Sequence, residues 1–314
     1  MSGKLLGCFL ALGSSLFIFN ACNTTASKAS ALAGLDTIRY DEDLMESPAL
    51  LMDKLDSLNK GLISFPAVDS LNKITPKQAK QLLKDSIYRE LRKKPKHIYL
   101  TFDDGPLLGS DAIDSIATQK QVKISAFLIG KHARMSKRLT GFLQRYLDNP
   151  LVEAYNHSYT HAHHRYQTFY ADSTGAFADF AKAQEDMGLT HKVARLPGRN
   201  IWRFDGLKRS DSGNGATTAE MLYNSGYKVF GWDVEWRIDG NTGKSAQSVS
   251  DTYRTIRRFL DKNYTLLPNN VVVLMHDDMF NHPKSRAQLR ALIDSLKQHP
   301  EYHFEFMSAY PKKY

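Results

Sequence analysis

From Lys96 to the carboxyl terminus, short apolar runs alternate with stretches of helical period, and nothing else in the chain restricts its fold as strongly. Runs rich in β-branched and aromatic residues occur at His97 to Phe102, Lys123 to Gly130, Leu151 to Asn156, Val193 to Leu196, Tyr227 to Trp232, Val271 to Met275 and His303 to Met307. Between them, apolar residues at helical spacing predict helices near Asp111 to Gln119, Ala133 to Leu147, Thr174 to Met187, Thr217 to Asn224, Ala246 to Leu260 and Ser285 to Gln298. Strands separated by helices align in parallel, either as a mostly parallel open sheet or as an α/β barrel. In both architectures functional groups gather at the carboxyl ends of the strands.

Those ends carry the chemistry-bearing residues. The first run stops at Asp103-Asp104 and is followed by Gly105-Pro106. Adjacent residues of a strand face opposite sides, so the two acids share a site only if the backbone bends, which Gly105-Pro106 is expected to permit. The third run enters His157-Ser158-Tyr159-Thr160-His161-Ala162-His163-His164. Histidines four apart fall on one face of a helical turn, and with a carboxylate they make a facial set of three ligands for a divalent ion such as Zn. Asp104 is the natural third ligand, and His164 leaves a different pairing open. The fourth run ends in Arg195-Leu196-Pro197-Gly198-Arg199. A buried arginine there would hold a carboxylate in its ionised form, with Asp103 the obvious one. Asp233-Val234-Glu235-Trp236 follows the fifth run, and its tryptophan suits either stacking on a sugar or a place in the core. The continuously apolar Val271 to Met275 stops at His276, placed like a general acid or base.

The amino terminus reads differently. Leu5 to Phe19 is apolar after a single Lys4 and is shorter than the 18 or more residues of a spanning helix, so it suits an export signal. Ala21-Cys22 followed by Asn23-Thr24-Thr25 resembles a bacterial lipobox, which implies lipidation of Cys22 and anchoring in the cell envelope; the alternative is a cleaved signal and a secreted or periplasmic protein. Cys8 and Cys22 are the only cysteines, so the mature domain is expected to hold no disulfide. Asn23 to Met45 has the composition of a tether, and Pro48 to Leu58 and Thr75 to Leu91 predict helices, the second with Leu82, Leu83, Ile87 and Leu91 on one face. The net charge of +9 favours anionic surroundings, but basic and aromatic residues are not interleaved, which argues against nucleic acid as a partner.

Taken in order, Thr101-Phe102-Asp103-Asp104-Gly105, His157-Ser158 with His161, Arg195 with Pro197, Trp232 to Trp236, and Leu274 with His276 resemble the motifs of the polysaccharide deacetylases, the NodB-homology group or carbohydrate esterase family 4. The resemblance covers Lys96 to about Ala309. It implies a distorted, incomplete (β/α) barrel, to which the N-terminal helical segment read from periodicity is added, and metal-dependent removal of N- or O-acetyl groups from a polysaccharide. It further implies that Asp104, His157 and His161 bind one divalent ion, Zn first among the candidates, that Asp103 is the general base and His276 the general acid, and that Arg195 orients Asp103. Leu274 would line the acetyl pocket, with Trp236 and Gly198 contacting substrate and Asp233, Glu235 or Asp239 partnering His276. Two departures stand out: Gly198 replaces the usual aromatic after Pro197, with Trp202 a candidate substitute, and Glu235 precedes Trp236 where an acid of another pattern is usual. The expected layout is a signal and lipobox over 1–22, a tether over 23–45, a helical accessory segment over 46–94 and a catalytic domain over 95–314. A non-catalytic carbohydrate-binding lipoprotein on the same fold is the alternative.

Overall fold

The structure, a computed structural model, describes residues 75–210 and 214–311. The expected signal, tether and helix Pro48 to Leu58 lie outside the described residues. In chain order the elements are α1 (Pro76–Lys93), β1 (Lys96–Gly105), α2 (Ser110–Lys120), β2 (Ile124–Leu128), α3 (Gly130–Ala133), α4 (Lys137–Asp148) and β3 (Val152–Asn156). There follow α5 (Tyr166–Ala171), α6 (Ser173–Asp186), β4 (Val193–Ala194), β5 (Ile201–Phe204), β6 (Leu207–Ser210), α7 (Ala216–Asn224), β7 (Lys228–Val229) and β8 (Val234–Glu235). The last are α8 (Val249–Lys262), β9 (Asn270–His276), α9 (Pro283–Lys297) and β10 (Tyr302–Phe304).

The strands form one curled sheet in the order β6-β5-β7-β4-β3-β2-β1-β9-β8, with β10 beside the start of β1. Pairing is parallel throughout except at β5, which runs antiparallel to β6 and β7. Among the described residues the two ends of this order do not pair, so the barrel is incomplete, as the motifs imply. Period-two alternation divides β1 between two cores. Ile98, Leu100 and Phe102 point outward and join Ile113 and Ile116 of α2, Ile256 and Leu260 of α8, and Leu289, Leu292 and Leu296 of α9. Tyr99 points inward to Phe127, Tyr155, Trp202, Phe230, Val272 and Tyr310. Thr101 and Asp103 continue that inner row, so the inner face turns from aromatic to polar toward the carboxyl end of β1. The curl collects those ends at one mouth.

Helix ends follow the sequence. Thr75 and Gln78 make a reciprocal capping box before Pro76, and the Ser136 and Ser248 side chains accept the Leu139 and Asp251 N–H groups at the starts of α4 and α8. The Ser136 cap starts α4 at Lys137, later than the Ala133 start expected, and Ala133 instead closes the separate turn α3. In α1 the expected apolar face is only half right: Leu91 is buried but Leu82 is 39% exposed, because nine residues at 100° each put them on opposite sides. The end of α1 is tied to the main domain through Asn269 Nδ2, which donates to Leu91 O at 2.8 Å. The β5–β6 hairpin was not among the expected elements, although Asp205-Gly206, both at positive φ, is a strong two-residue hairpin turn.

Candidate active site

Four strand ends meet at the mouth. Asp103 belongs to the inner row of β1 and lies opposite His276 of β9 in the parallel register. Asp104 should face outward, but its φ is 72° and the β1–β2 register shifts between Asp103 and Gly105. The bend that brings both acids to one site is thus in Asp104 itself, not in Gly105-Pro106 as expected. Asparagine and aspartate tolerate this left-handed conformation better than other side chains. His132 of α3 steadies it, its Nδ1 lying 2.7 Å from Asp104 O.

His157 extends β3 by one residue, its N–H donating to Leu128 O at 2.9 Å, and so faces inward like Tyr155. The segment after it is not the helical turn expected from the four-residue spacing. Ser158 is at φ 70° and His161, Ala162, His163 and His164 are all left-handed. Asn156 Oδ1 accepts the Ser158 N–H, Ser158 Oγ accepts the His161 N–H, and Asp179 Oδ2 accepts the N–H groups of Tyr159 and Thr160. These local bonds reverse the chain and return His161 to the site.

Asp104 Oδ1 lies 3.1 Å from His161 Nε2 and 3.4 Å from His157 Nε2. The three donor atoms converge within 4.8 Å of one another, and this is the one such group among the described residues. His157 Nδ1 lies 2.8 Å from Arg195 O; with its proton directed there, Nε2 presents a lone pair. Asp104 Oδ1 is buried and receives no well-directed hydrogen bond. A buried carboxylate oxygen left in that way between two imidazole nitrogens fits a shared cation, and the donor set suits Zn or a similar divalent ion. Burial would raise the Asp104 carboxyl, but His157 and His161 hold it well below the usual carboxylate range. Burial would likewise lower His157, and Asp103 and Asp104 raise it instead.

Arg195 is fully buried. Its NH1 donates to Asp103 Oδ1 at 2.7 Å and Thr101 Oγ1 at 2.8 Å, NH2 donates to Gly231 O at 2.8 Å, and Nε donates to Phe230 O at 3.2 Å. Thr101 Oγ1 in turn donates to Val273 O at 2.9 Å. One Asp103 oxygen is therefore committed to Arg195, while the other faces the triad, 3.6 Å from His157 Nε2. A cleft of about 320 Å³ opens beside His161, lined also by Lys131, His132, Met135 and His164.

Two expected contacts are placed elsewhere. Trp236 is fully buried on the outer side of the sheet, packed edge-on to Phe280 with its indole N–H donating to Gln247 O. It offers no stacking surface, because it lies outward of β8, and the partly exposed indole is Trp232. Trp202 is buried in the inner core and cannot substitute for the aromatic missing at Gly198. Tyr166 supplies one instead: a Cβ on Gly198, whose φ is 64°, would lie 3.0 Å from Tyr166 Cζ, and the ring stands edge-on to His161 at 5.8 Å. Leu274 sits on the inner face, as alternation with the outward Val273 requires.

Of the acids offered to His276, Asp233 accepts the backbone N–H groups of Leu266 and Val272, and Asp239 is spent on an exposed turn with Asn241 and Thr242. Glu235 pairs with Leu274 in register and follows the outward Val234, which leaves it on the His276 side of the sheet. His276 Nδ1 is buried and has no hydrogen-bond partner. Beyond it, burial pushes Asp277 up to about 7 despite hydrogen bonds from Ser110 and Tyr146. The supporting residues His132, Thr101, Asp179, Tyr166 and Asp277 were not singled out from sequence, and only Asn156, a short polar side chain just before the paired histidines, carried a local signal.

The resemblance read from the motifs is borne out by comparison with known proteins. Residues 90–196 match the family model described as polysaccharide deacetylase. A chitin disaccharide deacetylase of Vibrio alginolyticus is 25% identical over an alignment covering 44% of this chain and 47% of that protein. The chain thus spans about half the length of this curated relative. Among solved structures, a CE4 esterase of Streptococcus mutans aligns with a TM-score of 0.51 at 19% identity, covering 70% of this chain and 90% of that one. The catalytic domain of a peptidoglycan N-acetylglucosamine deacetylase from Eubacterium rectale aligns at 0.50 and 19% identity, covering 70% and 92%. These likenesses show the fold: a curled, half-barrel sheet with surrounding helices.

Proposed function

We propose that this protein is a metal-dependent hydrolase that removes N- or O-acetyl groups from a cell-envelope or other polysaccharide. The observation that carries the reading is the division of labour at the end of β1: Asp104 converges with His157 and His161, while Asp103, one residue away, is fixed by Arg195 and faces them. A divalent ion held by that triad, Zn being the first candidate, would polarise the acyl oxygen and make bound water acidic enough to attack at neutral pH.

The other steps fall to the chain's own groups. Asp103 uses the oxygen not bound to Arg195 to take the proton of the attacking water, and Arg195 keeps the second oxygen and the carboxylate plane in place. The Gly198 N–H donates to the developing oxyanion. His276, across the register from Asp103, returns a proton to the departing sugar amine or alcohol, with Glu235 on the same side of the sheet. Leu274 receives the acetyl methyl, and the cleft running past Lys131 and His132 takes the neighbouring part of the polymer.

We also propose that residues 1–22 export the chain and that lipid on Cys22 anchors it in the cell envelope through the tether 23–45. Fractionation of a Cys22→Ser variant tests the anchor, which should move to the soluble fraction. Activity is tested by acetate release from acetylated chitooligosaccharides, peptidoglycan and acetylxylan, with metal content measured on the same sample. Release should cease on chelation and return with Zn; turnover undiminished after verified metal removal would refute the reading.

A further inference from the structure

The chemistry above leaves one buried acid unused. Asp277 follows His276 directly, is 1% exposed, and lies where β9 gives way to a short turn over Asp277–Asn281. Its Oδ2 accepts hydrogen bonds from Ser110 Oγ at 2.5 Å and from Tyr146 OH at 3.4 Å. Ser110 Oγ in turn accepts the Leu107 N–H at 3.0 Å. A relay of donors therefore runs from the loop after β1 into Asp277.

The loop is also shaped to this residue. A Cβ on Gly105 would lie 3.0 Å from Asp277 Oδ2 and 2.9 Å from Leu128 Cδ2, and a Cβ on Gly109 would lie 1.8 Å from Asp277 O. Neither glycine has a positive φ, so the demand is for space, not for conformational freedom. The segment that leaves Asp103 and Asp104 is folded directly onto the residue next to His276.

We propose that Asp277 is a positioning residue, a clamp that fixes the end of β9 to the loop after β1 and so sets the distance between His276 and Asp103. The inference rests on the deacetylase reading, in which His276 supplies the proton. Asparagine keeps an acceptor oxygen for Ser110 and the side-chain volume, whereas alanine removes the clamp. A misplacement of about 1 Å at a reacting group costs up to 10²-fold in rate, so Asp277→Ala should lower kcat roughly 10- to 100-fold with KM and metal content unchanged. Asp277→Asn should recover most of that loss.

The experiment measures acetate release, metal content and histidine-selective NMR of His276 in the full chain for wild type, Asp277→Ala, Asp277→Asn and Ser110→Ala. The clamp predicts a lower kcat and a displaced His276 signal in the alanine variant, with rescue by asparagine. Folded Asp277→Ala with kcat within twofold of wild type, or a loss carried by KM or metal content, would overturn it. Should Asp277→Ala fail to fold, Ser110→Ala decides: an unaltered kcat there also overturns the clamp. A wild type that releases no acetate sinks the deacetylase reading instead, and an unmoved His276 signal would then refute the clamp independently.

Discussion

Replacing Arg195 by methionine should be among the most destabilising changes available to this fold, and a second substitution should partly reverse it. The methionine fills much of the space but leaves Asp103, 3% exposed, without the guanidinium that lies 2.7 Å from its Oδ1. Breaking a buried ion pair from one side costs about 3–5 kcal/mol. Gly231 O also loses its 2.8 Å donor, and an unsatisfied buried carbonyl adds roughly 1–3 kcal/mol. The sum, about 4–8 kcal/mol, is a large part of the roughly 5–15 kcal/mol that holds a domain together. Asp103→Asn removes the uncompensated charge, so the double variant should regain about 2 kcal/mol or more over Arg195→Met alone. Equilibrium urea unfolding of metal-free wild type, both single variants and the double variant gives the comparison; bound metal would stabilise the folded state by mass action and mask it. A double variant equal to or less stable than Arg195→Met would refute the view that Arg195 chiefly compensates Asp103.

Other consequences separate the remaining roles. Asp104→Ala should lower metal content to near zero, whereas Asp103→Asn should keep the metal and lose turnover by about 10²-fold or more; metal analysis beside acetate release distinguishes them, and the opposite pattern would reverse the two assignments. Trp236→Phe should leave KM for oligosaccharides within error while lowering stability by about 2–3 kcal/mol, since the buried indole loses its bond to Gln247 O and the smaller ring leaves a cavity; a raised KM would contradict its placement. The Asp277 carboxyl holds its proton up to about 7 in the folded protein but releases it near 4 when unfolded. Between those values the unfolded chain binds fewer protons, so rising pH destabilises the wild type. Asp277→Asn should therefore gain stability relative to wild type from pH 4 to pH 7, by at most about 4 kcal/mol, and a flat difference across that range in thermal unfolding would disprove it.

Much of the site was legible in the sequence because strands announce their ends. The apolar runs stop at Asp103, His157, Arg195 and His276, and parallel strands separated by helices have their carboxyl ends on one side whatever the details of packing. His157 and His161 do converge with Asp104, but not through the helical turn that their four-residue spacing suggests: side-chain bonds from Asn156, Ser158 and Asp179 hold a left-handed reversal that no periodicity encodes. The hairpin of β5 and β6 was missed despite its Asp205-Gly206 turn, because its strands, Ile201–Phe204 and Leu207–Ser210, are only four residues each and show too little alternation to stand out.

Aromatic residues show the limit most clearly. Trp202, Trp232 and Trp236 look equivalent in a sequence, each beside polar residues near a strand end. Which is available to a substrate depends on which face of the sheet it occupies and what covers that face, and both are set by partners distant in the chain. Trp236 lies outward under Phe280, Trp202 inward under Tyr310. Tyr166, at the start of α5, takes the space that Gly198 leaves. The sequence by itself determined the alternation of parallel strands with helices and the acids, histidines and Arg195 at the strand ends, because these follow from local periodicity and charge. Only the tertiary structure decided that Asp104 turns to the same side as Asp103, that Tyr166 and not Trp202 borders Gly198, and that Asp277 reaches the loop after β1. Each of those depends on contacts between segments brought together by the curl of the sheet, and local sequence carries no measure of that distance.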